Sequence, residues 1–269
     1  MNDRRCRSFL INAMIEKITS RQNPLIVRLS KLSDKKARDN EGLFRLDGVK
    51  LLDEAKKSRI TLRYIFALPE MTGRLGDIDA GVYEVTEDVL MKLTDEKAPQ
   101  GIVAFAAKFP TLPLPSELPE SFRALLLSSI RDPGNLGTMI RTAYAFGIDR
   151  IFISRDSADI YSPKVIRAAM GTIFRQAITI SDELDTVESL KKAGCAVYAA
   201  ALRPDAKEVG SFVLPERVCF AVGNEGHGLS DELISAATGT AIIPMIDGCE
   251  SLNAAGAAGI LSWEMRKAR

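Results

Sequence analysis

The chain has a single histidine, His227, in 269 residues. Mechanisms that need a Cys-His pair, a Ser-His-Asp triad or a multi-histidine metal centre therefore have one imidazole to work with, and no metal site is expected. Cysteine is scarce as well. Cys6, Cys195, Cys219 and Cys249 lie far apart with no CxxC pair, which predicts reduced, buried thiols in a cytoplasmic protein. No run approaches the roughly 18 to 20 apolar residues of a spanning helix, so no membrane segment is expected. At the start, Arg4, Arg5 and Arg7 precede an apolar stretch of only Phe9, Leu10 and Ile11, shorter than the roughly 7 to 15 residues of a signal-peptide core. Residues 1–13 read as a ragged extension. Charge of one sign is also missing overall, with 36 Lys and Arg against 35 Asp and Glu. At 46% hydrophobic and 26% charged residues, the chain is neither disordered, collagen-like nor a coiled coil.

That neutrality conceals an asymmetry. Residues 1–63 hold 16 Lys and Arg against 8 Asp and Glu, a net of +8, whereas residues 64–109 carry −4 and residues 110–269 carry −3. A basic segment in a neutral chain suggests a polyanion partner, although a solvated helix face is nearly as common a cause of one charge run.

Pro110, Pro113, Pro115 and Pro119 crowd the boundary between two halves. Prolines so closely spaced cannot donate a full ladder of backbone hydrogen bonds, so 110–121 reads as an extended linker between domains at 1–109 and 122–269. In the first half, Leu25, Leu29 and Leu32 predict a helix over 23–40, and 49–59 predicts a second. Strand-like runs follow at 62–68, 82–86 and 101–107, which suggests a small α/β domain. In the second half, apolar runs at 124–130, 150–155, 175–180, 196–202, 218–224 and 241–245 alternate with helical stretches, the first predicted over 138–146. This pattern argues for a parallel α/β sheet covered on both faces, whose ligands sit beyond the carboxyl ends of the strands.

Three loops in those positions carry chemistry. The first, RDPGNLGTMIRTAYAFG from Arg131, offers a tight turn, free helix-opening N–H groups and Arg141, a moderate anion signal that an ordinary strand-turn-helix junction would also produce. The second, AVGNEGHGLSDE from Ala221, places Gly223, Gly226 and Gly228 where a backbone could approach a ligand closely. Its GxxGxG spacing is not the GxGxxG of a dinucleotide fold. Glu225 stands just before a helix, where the dipole favours its ionised form. The third runs IIPMIDGCESLN from Ile242 into AAGAAG, where Gly256 and Gly259 cost roughly 1 kcal/mol each relative to alanine in a helix interior. That cost suggests the close approach of another backbone, a cofactor or a partner subunit, or else tight packing within the chain.

In order and residue by residue, these loops resemble the three motifs of the SpoU (TrmH) family of SPOUT RNA ribose methyltransferases. The match runs through Asn135 and Arg141, then Gly223 and Glu225, then IPM followed by ESLN. The first half also resembles the family's substrate-binding domain, in ITSRQNPLIVRLSKL, FRLDG and QGIVAF. The resemblance implies a knotted parallel-sheet SPOUT catalytic domain with a deep trefoil knot, S-adenosylmethionine as cofactor, and a homodimer whose interface includes the terminal helix. It assigns the cofactor to Gly223, Ile243 and Leu252, with Asn224 and Met245 close by. The chain departs from the family mildly in motif three, at Cys249, Gly256 and Gly259, where the polar residues stay intact.

Transfer of a methyl group from a sulfonium to a ribose 2′-hydroxyl needs alignment and removal of a proton, with no metal. Arg141 takes the family's catalytic place. A guanidinium, protonated throughout the physiological range, is a poor proton acceptor, so its expected work is to hold the target phosphate and the developing negative charge. Asn135 and Asn253 would orient the ribose and the arginine, with Glu225 and Ser251 in the same positioning network. The expected partner is ribosomal or transfer RNA, ribosomal favoured. A non-catalytic RNA-binding or ribosome-assembly protein on this fold is the alternative, against which the intact polar residues weigh. A small-molecule methyltransferase would not need the basic first half.

Overall fold

The computed structural model describes residues 15–76, 78–224, 226–246, 248 and 251–268. The ragged extension expected at 1–13 lies outside them, as do Arg4, Arg5 and Arg7. The described chain forms two compact units: one up to Phe109 with Tyr161–Pro163 added, the other Pro110–Ile160 and the chain from Lys164 onward.

The first unit contains, in order, β1 (Glu16–Ile18), α1 (Pro24–Ser30), α2 (Lys35–Glu41), β2 (Leu43–Asp47), α3 (Val49–Lys57), β3 (Leu62–Ala67), α4 (Pro69–Thr72), β4 (Gly81–Val85), α5 (Glu87–Leu93) and β5 (Ile102–Ala107). Its sheet runs β1-β4-β3-β5-β2. The pairings of β4 with β1 and β3 are parallel, and those of β5 with β3 and β2 antiparallel. The single helix expected over 23–40 is broken. Asp34 is extended at ψ 137 and its carboxylate accepts the Ala37 N–H at 3.1 Å, so it caps a new helix rather than continuing the old one.

Two of the basic residues counted toward a polyanion surface are internal. Arg38, 2% exposed, donates to the Leu32 and Ser33 carbonyls at 2.9 and 2.7 Å. Arg45, also 2% exposed, pairs with Asp47 at 3.2 Å and Asp95 at 2.7 Å and donates to the Leu93 carbonyl at 3.0 Å. Arg28, Lys31, Lys35 and Lys36 remain exposed on α1, α2 and the 3₁₀ turn between them.

The second unit contains β6 (Phe122–Leu127), α6 (Pro133–Phe146), β7 (Arg150–Ser154), α7 (Pro163–Ala169), β8 (Ile178–Ser181), α8 (Glu183–Lys192), β9 (Ala196–Ala200), β10 (Lys207–Glu208), β11 (Arg217–Val222), α9 (Asp231–Ala236), β12 (Gly239–Ile242) and α10 (Ala254–Lys267). Its strands order as β10-β12-β9-β11-β6-β7-β8, all parallel. All six residues of β6, an interior strand between β11 and β7, are buried, as the near-continuous apolar runs required. Val187 and Leu190 of α8 and Leu233 of α9 pack with Leu126, Val197 and Ala221. α10 lies along α6 and meets β6 and β11.

The proline-rich stretch has no helix or strand, but it is no free tether. Its Leu112 N–H donates to Ile178 at 2.8 Å, the Pro115 carbonyl accepts from the Ser189 hydroxyl at 2.8 Å, and the Pro119 carbonyl accepts from Arg217 at 2.8 Å. Leu114 and Leu118 pack against the core of the second unit. The few N–H groups that proline leaves are offset by carbonyls that accept from side chains.

Candidate active site

The β6–α6 turn is shaped by its cap. The Asp132 carboxylate accepts the Asn135 N–H at 2.7 Å, with Pro133 opening the helix, so α6 begins five residues earlier than its apolar periodicity predicts. Asn135 thereby falls in the first turn and Arg141 on the third, exposed to solvent. Gly137 lets α6 approach α7 at backbone distance, since a Cβ there would stand 2.6 Å from the Val165 carbonyl oxygen.

After β11 the chain doubles back on itself. A Cβ on Gly223 would lie 2.3 Å from the Gly228 carbonyl carbon, so only glycine fits. Asn224 bridges to Gly228, and its side-chain oxygen accepts the Gly226 N–H at 2.8 Å. Its side-chain nitrogen donates to the Ser129 carbonyl at 3.1 Å, which ties this loop to the one before α6. Glu225, expected in the positioning network, lies outside the described residues, as does Cys249.

After β12 the chain enters α10 through Asn253, whose side-chain oxygen accepts the N–H groups of Ala255 at 3.0 Å and Gly256 at 3.3 Å. Its nitrogen donates to the Asn135 side-chain oxygen at 3.3 Å. The two asparagines expected to orient substrate are thus in contact.

A cleft of about 380 Å³ opens at the carboxyl ends of β9, β11 and β12. Gly223, Asn224, Ile243, Met245 and Leu252 all line it, and so does Ser251. Its other lining residues are mostly aliphatic, and the volume lies within the roughly 300 to 1,000 Å³ of small-molecule sites. Asn253 stands between two lining residues, Leu252 and Ala254, whereas Arg141 and Asn135 are not among the lining residues. His227 faces the cleft with its loop. The loop after β9, with Leu202 and Arg203, also lines the cleft and was not singled out from the sequence. Its position beyond a strand's carboxyl end was the available signal, and Arg203 pairs with Asp231 there. Also unanticipated is Asp156, after β7, whose carboxyl is held below its ordinary range by hydrogen bonds from the Ser129 hydroxyl and then the Ser154 hydroxyl. Among the described residues no cluster of His, Cys, Asp and Glu could hold a metal ion.

Residues 123–263 match the model of the SpoU rRNA Methylase family. The chain belongs to that family. As a SpoU methylase it carries a further match at residues 12–104, to the MRM3-like substrate binding domain. It is 33% identical over 257 residues to the 23S rRNA (guanosine(2553)-2′-O)-methyltransferase RlmP of Bacillus subtilis strain 168, covering 94% of this chain and 100% of RlmP. The crystal structure of an AdoMet-bound rRNA methyltransferase from Sinorhizobium meliloti superposes with a TM-score of 0.86 at 30% identity, over 94% of this chain and 98% of that one. This SpoU methylase therefore pairs a parallel-sheet α/β catalytic unit with an N-terminal substrate-binding domain, as the sequence motifs implied.

Proposed function

We propose that this SpoU methylase transfers a methyl group from S-adenosylmethionine to a ribose 2′-hydroxyl of ribosomal RNA. The observation that carries the reading is the convergence of three loops. The glycine loop and the Ile243–Met245 and Ser251–Leu252 segments line one cleft, and Asn253 at its edge reaches Asn135 in the first turn of the helix that bears Arg141. The names of RlmP and of the Sinorhizobium meliloti structure support ribosomal RNA as substrate and S-adenosylmethionine as cofactor. The cofactor supplies an electrophilic methyl carbon on a sulfonium.

The residues of the chain do the rest. Backbone groups at Gly223 and Ile243, with Leu252, hold the cofactor, and Asn224 and Met245 close its surroundings. The Asn135–Asn253 pair orients the ribose, and Arg141 holds the phosphate and the developing charge on the 2′-oxygen. Glu225 and Ser251 serve the positioning network. Preorganised alignment of donor and acceptor provides most of the acceleration, which suits a site without histidine pairs.

The reading extends to the family's trefoil knot and to a homodimer through α10. Gly256, Ile260 and Trp263 fall on one face of that helix at helical spacing, Ile260 41% and Trp263 51% exposed. Nothing lies within 4 Å of a Cβ built on Gly256, and one on Gly259 would meet Thr142 at an ordinary 3.6 Å, so packing within one chain does not demand either glycine. The compartment is the cytoplasm, in keeping with free buried thiols at Cys195 and Cys219. No described helix is long and apolar enough to cross a membrane.

The test compares ribose-methylation maps of total RNA from cells with and without the protein. One ribosomal position should lose its 2′-O-methyl group and regain it on complementation. Unchanged ribosomal maps, or a loss confined to transfer RNA, would refute the substrate assignment.

A further inference from the structure

The turn between β6 and α6 pivots on a residue in a costly conformation. Ser129 has φ +54, in the left-handed region that a residue with a Cβ rarely adopts. It is held on three sides. Its N–H donates to the Ser154 hydroxyl at 2.8 Å, its hydroxyl donates to one oxygen of Asp156 at 2.6 Å, and its carbonyl accepts from Asn224 at 3.1 Å. The other oxygen of Asp156 accepts the Ser154 hydroxyl at 2.7 Å, so one carboxylate grips both serines. The next residue is bound to the same segment, with the Ile130 N–H on the Ser157 hydroxyl at 3.0 Å and its carbonyl accepting the Ala158 N–H at 2.8 Å.

We propose that Asp156 is a positioning residue for methyl transfer: by bracketing Ser129 and Ser154 it locks the left-handed turn whose carbonyl holds Asn224 of the cleft in register with the start of α6. The proposal rests on the function proposed above. Only Ile130 and Arg131 separate Ser129 from Asp132, the cap of α6. A peptide rotation at 129 would therefore withdraw the acceptor from Asn224 and swing the turn that carries Asn135. Asn224 in turn spends its oxygen on Gly226, so its amide joins the α6 turn to the glycine loop. Asp156 does not line the cleft and acts through Ser129. The other charge facing it, Arg131, is 3.8 Å away with both side chains at least half exposed, a pair of little energetic weight.

The experiment uses the full chain and three variants, Asp156→Ala, Ser129→Gly and the double variant. Glycine adopts a positive φ without steric cost, so it makes the bracket dispensable. Asp156→Ala should lower kcat about tenfold or more, the scale expected of a misplaced site, and weaken S-adenosylmethionine binding by calorimetry. The double variant should return to the level of Ser129→Gly alone. An Asp156→Ala enzyme as active as wild type, or a double variant no better than Asp156→Ala, would overturn the assignment, the latter by showing that the carboxylate acts through something other than the backbone at 129. Amide hydrogen exchange gives a reading independent of turnover. Exchange should quicken in peptides spanning 128–135 and 222–229 of Asp156→Ala and slow again in the double variant. Acceleration confined to 154–158 would count against the coupling. A wild-type protein that binds no cofactor and transfers no methyl group would refute the functional reading instead, while exchange still decides the role of Asp156.

Discussion

The side-chain nitrogen of Asn253 donates to the side-chain oxygen of Asn135 at 3.3 Å, joining the first turns of α10 and α6 across 118 positions of sequence. The same Asn253 caps α10 through its oxygen, so its two amide atoms do different work. Asn253→Ala should lose both, costing about 1 kcal/mol of stability for the cap together with methyl transfer. Asn253→Asp keeps the cap acceptor but turns a second oxygen toward Asn135, so stability should hold while kcat falls. Thermal melts and steady-state kinetics on the two variants separate the roles, and equal losses of stability would contradict the division.

Arg141→Ala should abolish methyl transfer while leaving cofactor affinity nearly intact, because Arg141 is exposed on α6 and does not line the cleft. His227→Ala should keep substantial activity although its loop lines the cleft, since no proton transfer is assigned to it. Calorimetry for the cofactor alongside a radiolabelled methyl-transfer assay checks both; loss of cofactor binding in Arg141→Ala would make the arginine structural.

Gly223→Ala should eliminate cofactor binding without unfolding the protein. The new methyl group would stand 2.3 Å from the Gly228 backbone, and relief would open the loop that forms one wall of the cleft. A Kd for S-adenosylmethionine unchanged from wild type would mean that the doubled-back loop is not the binding conformation.

Gly256→Leu tests the dimer. The space above Gly256 is open and the residue exposed, so a single chain accommodates leucine. A shift to monomer or aggregate by light scattering, with the melting temperature of the chain retained, would place the face of Gly256, Ile260 and Trp263 in the interface. A wild-type monomer at micromolar concentration would remove it.

Burial pushes the Cys195 thiol up to about 12 and the fully enclosed Cys219 well above the ordinary range. Both should resist iodoacetamide at pH 8 in the folded protein and react after denaturation, as read by peptide mass spectrometry. The linkage has a definite sign. Above the ordinary thiol value near 9 the unfolded chain releases protons that the folded chain retains, so the thiols' contribution to stability is full below that pH and is lost as pH rises toward about 12.

The sequence by itself determined the elements whose signal is local. Apolar runs such as 124–127 read as strands buried on both faces, and the segments at the ends of such runs carry Gly223, Ile243 and Leu252, which line one cleft. What it could not determine were partnerships made across the chain. Asp34 carries no mark that it ends one helix and caps another, because the same carboxylate would be tolerated on a solvent face. Arg38 and Arg45 count as surface charge until the fold supplies carbonyls and carboxylates that make their burial affordable. Ser129, Ser154, Asp156 and Asn224 are ordinary polar residues in three separate stretches of sequence, brought together only when β6, β7 and β11 stand in one sheet. Periodicity reports which face of an element meets the core, whereas a hydrogen-bond partner 25 or 95 residues away is chosen by the tertiary structure alone.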